Sequence, residues 1–120
     1  MDEELKQMLT ACGNSVGAAM GAFRLRLDDA RTRGDEEAAT VAELLYLKAA
    51  DIQHKRNQIV IADIMESDEI RKLMTTLDTA NKRLENDIKE VASIEKRVGE
   101  LKKGLAQIES ALGKLISLIA

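Results

Sequence analysis

From Ile70 onward, apolar residues recur at alternating steps of three and four: Ile70, Leu73, Leu77, Ala80, Leu84, Val91, Ile94, Val98, Leu101, Leu105, Ile108, Leu112, Leu115 and Ile119, with only Asp87 breaking the row. A 3.5-residue period held this long is the pattern of a coiled-coil seam, and a seam needs another helix to cover it. Upstream, Leu5, Leu9, Cys12, Val16, Ala19/Met20, Phe23, Leu27 and Ala30 keep to one face of a helix expected from about Asp2 to Arg33. Acidic residues at its start and Arg31 and Arg33 at its end complement the helix dipole. Gly34 is placed to end it in the left-handed conformation, and Asp35 to cap the next helix.

That second helix is expected over 36–66, burying Ala38, Ala42, Leu45, Ala49, Ile52 and Ile59. Six polar residues, Gln53 to Gln58, interrupt it before the β-branched run Ile59-Val60-Ile61, where a turn or short strand is the alternative. Ile52 and Ile59 keep the seven-residue phase and the hexamer lacks glycine and proline, so the pattern favours one continuous helix. Ser67 is the next cap, followed by Asp68 and Glu69. Asp68/Lys72, Asp78/Lys82 and Glu85/Lys89 then place an acid four residues before a base, each contributing a few tenths of a kcal/mol. The third helix is expected over 68–119, with Gly99–Gly104 the one place where a break would fit.

The fold class this predicts is all-α: an antiparallel helical hairpin plus a long heptad-patterned C-terminal helix, forming a three- or four-helix bundle or coiled coil in one domain spanning 1–120. The first two helices and residues 68–98 each span roughly 47 Å at 1.5 Å per residue. A straight third helix therefore projects residues 99–120 beyond the bundle. Burying the eight aliphatic residues of that overhang is worth on the order of 12–24 kcal/mol before ordering entropy is subtracted. Either the overhang folds back as a fourth helix or another chain covers it. A parallel, in-register pair of seams would oppose Glu90 to Glu95 and Arg97 to Lys102 and stack two Asp87 carboxylates, so antiparallel association is favoured.

Composition narrows the chemistry. Of 120 residues none is proline, and Phe23 and Tyr46 are the only aromatics, so the core is aliphatic and base stacking has no platform. A net charge of −3 supplies no general attraction to nucleic acid or anionic lipid. The single cysteine, Cys12, fits a reducing cytoplasm and a core position. Leu9-Thr10-Ala11-Cys12-Gly13 resembles a lipoprotein cleavage box, but the acidic start and the interruption by Lys6 and Gln7 do not suit a signal segment. No stretch approaches the ~18 apolar residues of a membrane span.

Gly13, Gly17 and Gly21 form a GxxxGxxxG row, each costing roughly 0.8–1 kcal/mol relative to alanine inside a helix. Close approach of another helix compensates for such a row; a kink or a membrane contact are the other readings. Asp51 and His54 have the i, i+3 spacing of a bundle metal site, but such sites need several further ligands and this chain has one histidine, so a solvated polar face is expected. Asp87 is read as lying where the seam is uncovered, since burying an unpaired carboxylate costs several kcal/mol; fixing register as a buried polar residue, or meeting a basic residue of a partner, are the alternatives. No phosphate loop, histidine-anchored nucleophile or metal cluster is recognisable, so neither a cofactor nor enzymatic activity is expected.

The function these observations predict is non-enzymatic protein binding through helix faces, as in an adaptor, secretion chaperone, immunity protein or assembly subunit. A protein partner or a homo-oligomer is implied. The expected partner surface is Leu101, Leu105, Ile108, Leu112, Leu115, Ile116 and Ile119, with the Gly13, Gly17, Gly21 ridge second. The rival reading is a membrane-surface or membrane-inserting helical protein that uses the glycine row and the apolar C-terminus.

Overall fold

Gly34 turns the chain through a Schellman closure. At φ +71° it sits in the left-handed region, its N–H donates to the Arg31 carbonyl (3.1 Å), and the Asp35 N–H donates to Ala30 (2.9 Å). The Asp35 carboxylate then accepts from the Ala38 N–H at 3.1 Å, capping the next helix. In the computed structural model, which describes residues 2–59, 67–89, 94 and 96–119, four helices follow this logic. They are α1 (Asp2–Arg33), α2 (Glu36–Asn57), α3 (Asp68–Ile88) and α4 (Val98–Ile119). The Ser67 hydroxyl accepts from the Ile70 N–H at 3.2 Å and opens α3, as its position implied.

Two expected continuities fail. The second helix does not run on through the polar hexamer: α2 ends at Asn57, where Gln58 and Ile59 donate back three residues to Lys55 and Arg56 in a tightened last turn. The alternative of a strand near Val60 lies outside the described residues. The third helix is not continuous to Ile119 either, and its break is not at Gly99–Gly104. Helix α3 ends at Ile88 and α4 starts at Val98, with Gly99 inside its first turn. Folding back gives α4's apolar stripe a cover from the chain itself, which is worth far more than the few helical hydrogen bonds lost in the return.

The fold is an all-α four-helix bundle, 50 × 22 × 19 Å. Helix α1, 32 residues or roughly 48 Å at 1.5 Å per residue, sets its length. Helix α1 packs on α2 and α3, and α4 packs on α3 and α2. Met8 and Glu4 lie beside Arg71 and Met74, and Ser15 bonds Glu85, so α1 and α3 run parallel. Val98 lies beside Val41, and Glu109 reaches Lys48 and Lys55, so α2 and α4 run parallel as well. The molecule is thus two antiparallel hairpins, α1/α2 and α3/α4, laid side by side. Leu5, Phe23, Leu45, Ile52, Leu77, Leu84, Leu105 and Leu112 fill the shared core, each under 3% exposed.

Asp87 differs from its expected place. It is buried, not left on an uncovered stretch of seam, and Arg97 of the α3–α4 return approaches its Oδ1 at 3.5 Å. Its Oδ2 has no hydrogen-bond partner among the described residues.

Candidate interaction surface

The first-choice partner stripe lies in the core. Leu101, Leu105, Ile108, Leu112 and Leu115 are each at most 1% exposed, buried against α2 and α3 of the same chain. Ile116 is half-buried, and the Ile119 side chain lies outside the described residues. The reason is geometric: once α4 turns back, the face that sought a partner lies against α2 and α3, and no second chain is needed to keep it dry.

The glycine ridge divides. Arg56 lies across Gly13, donating its Nε to the Leu9 carbonyl at 3.0 Å, and a Cβ added at Gly13 would meet that Nε at 3.0 Å. Gln53 donates to the Gly13 carbonyl at 2.9 Å, and its Nε2 would lie 3.6 Å from a Cβ at Gly17. The polar end of α2 therefore grips the α1 backbone through positions that lack side chains. Gly21 takes no part in this. It faces outward, with nothing within 4 Å of where a Cβ would stand.

Around Gly21 is an open groove between α1 and α3. Its floor is Ala18, Gly21 and Ala22, and its walls are Leu25 of α1 and Ile88 of α3. Leu25 is 62% exposed, the most exposed large apolar side chain among the described residues. At one end the Ser15 hydroxyl, itself buried, donates to Glu85 at 2.7 Å and ties the two helices together. The signal for this face is present in the sequence but was overshadowed by the longer seam. Ala11, Asn14, Ala18, Gly21 and Leu25 step by three and four on the side of α1 opposite Leu9, Val16, Phe23 and Ala30, and all five are exposed. Leu44 and Leu47 are likewise exposed, on the outer face of α2.

The best-formed polar cluster spans α2 and α4. Glu109 accepts from Lys48 at 2.6 Å and from Lys55 at 2.9 Å, and Lys55 also pairs with Asp51 at 3.2 Å. Hydrogen bonds from Lys48 and Lys55 hold the Glu109 carboxyl down at about 2, and those from Glu109 and Asp51 raise the pKa of Lys55. Such a cluster fixes one helix against its neighbour and presents no vacant acid or base. On α3 and α4, Arg83 pairs with Glu100 in the same manner.

Asp51 and His54 do not converge on a metal site. Asp51 is engaged by Lys55, and the His54 ring lies 3.3 Å from the Gln58 amide. Among the described residues no group of three or more histidine, cysteine, aspartate and glutamate side chains is arranged to hold a metal ion. Cys12 is fully buried, and burial pushes its thiol up to about 11. No helix among the described residues is long and apolar enough to cross a membrane. The chain matches no protein-family model, no curated protein and no solved structure.

Proposed function

We propose that this protein is a non-enzymatic, cytoplasmic helix-binding module that docks a partner helix in the α1–α3 groove. The observation that carries the reading is Leu25, a large apolar side chain left in water beside a floor of Ala18, Gly21 and Ala22 on which a helix can lie closely. Isolated exposed leucines are ordinary on protein surfaces, whereas one that walls an apolar groove marks a contact site. Helix-in-groove recognition uses apolar anchors at spacings of three, four and seven, which this floor accepts. Adaptor and assembly roles follow naturally from such a surface. The best-formed polar cluster, Lys48, Lys55 and Glu109, holds α2 against α4.

The test is site-specific photo-crosslinking in cells. A photoreactive side chain at position 25 should give a discrete adduct that disappears when Gly21→Lys fills the floor, while the same probe at Lys82, exposed on α3, should give none. Absence of any adduct at position 25 overturns the reading.

A further inference from the structure

We propose that the helix received by the α1–α3 groove is α1 of a second copy of this chain, the two α1 helices lying antiparallel about a two-fold axis at Ala18. The inference rests on the reading of the groove as a docking surface. A two-fold contact requires one patch to supply both the protrusion and the depression that receives it. Here Leu25 protrudes, and Ala11 and Ala18, small and exposed on the same line of α1, leave room for a protruding side chain from a second copy. With the axis at Ala18, each Leu25 falls opposite Ala11 of the second copy and the two Ala18 residues face each other. Small residues along that line let the helix axes approach to about 8 Å, the close end of helix packing.

Charge selects the direction. The first turns of α1 carry Asp2, Glu3 and Glu4 against Lys6, whereas its last ten residues carry Arg24, Arg26, Arg31 and Arg33 against Asp28 and Asp29. An antiparallel pair sets the acidic start of each helix beside the arginine-bearing end of the other, and also opposes the helix dipoles favourably. A parallel pair sets like on like. Glu3 and Glu4 are exposed on the first turn of α1.

Light scattering on the purified full chain should give twice the single-chain mass at micromolar concentration. Leu25→Glu and Gly21→Lys, both at exposed positions, should each halve that mass with unchanged helical circular dichroism. Ala18→Cys should form an intermolecular disulfide under mild oxidation, since its symmetry mate lies across the axis, and Lys82→Cys should not. A single-chain mass at every concentration overturns the proposal, as does a dimer indifferent to both substitutions. If the chain is monomeric yet position 25 crosslinks in cells to a different protein, self-pairing fails and the docking surface stands. If it is monomeric and position 25 crosslinks to nothing, both fail.

Discussion

Arg56 lies flat on Gly13, its guanidinium occupying the space a side chain there would need. The glycine thereby turns a weak helix position into a bonding surface: Arg56 reaches the Leu9 carbonyl because nothing stands between them. Removing the glycine sets two effects against each other. Alanine gains about 1 kcal/mol of helix propensity but displaces a guanidinium whose hydrogen bond is worth about 0.5–1.5 kcal/mol. Gly13→Ala should therefore be neutral or destabilising in urea unfolding. Gly113→Ala, on the open face of α4, should stabilise by about 1 kcal/mol, and Gly13→Ala should regain that benefit in an Arg56→Ala background.

Glu109 should make stability depend on acid. Its pKa is held at about 2, below the ordinary 4.5, so the folded state keeps the carboxylate charged where the unfolded chain has already bound a proton. The contribution is whole above 4.5 and drains away as pH falls from there through about 2. Denaturant midpoints measured across that window should fall with pH, and Glu109→Gln should flatten the curve while lowering the plateau at neutral pH.

Asp87 is a carboxylate at a core layer with one oxygen unsatisfied and only a long contact to Arg97. A leucine of similar size at this seam position removes that desolvation cost. Asp87→Leu should raise stability by about 1 kcal/mol, and Arg97→Ala alone should lower it by leaving the buried charge uncompensated. Thermal unfolding of the two variants distinguishes these signs.

Leu112 and Leu118 lie six residues apart on one helix with opposite fates, the first fully buried and the second 43% exposed. Leu112→Ala should cost about 2–5 kcal/mol through the cavity it leaves. Leu118→Ala should stay within about 0.5 kcal/mol. The Cys12 thiol reports the difference directly: buried and held at about 11, it should react with a thiol reagent only on unfolding, faster in Leu112→Ala than in Leu118→Ala.

The helix caps were legible because each rests on local chemistry, and so was most of each buried face, although Ala38 and Ile59 of the expected second-helix face are only half-buried. Gly34, Asp35 and Ser67 act where their side chains or lack of one require, and the Leu5-to-Ala30 stripe is core apart from half-buried Met20. The return between α3 and α4 was not legible. Asp87, Ile94 and Leu101 are each seven apart, and the first and last are the buried positions on either side of the turn. The heptad phase thus survives a reversal of direction, and residues 89–97 contain neither glycine nor proline to mark it. Periodicity reports which face is buried and is silent on whether the cover is a stranger or the same chain. That ambiguity carried the predicted partner surface into the core and left the α1–α3 groove to be found from the packing.

Because α1 and α2 form one hairpin and α3 and α4 the other, the residues between Ile59 and Ser67 are the single covalent tie between the two halves. A chain severed there leaves α1 to α4 each uncut and divides one hydrophobic interior into two complementary surfaces. The fragments should recombine on mixing, which makes this bundle a natural split reporter.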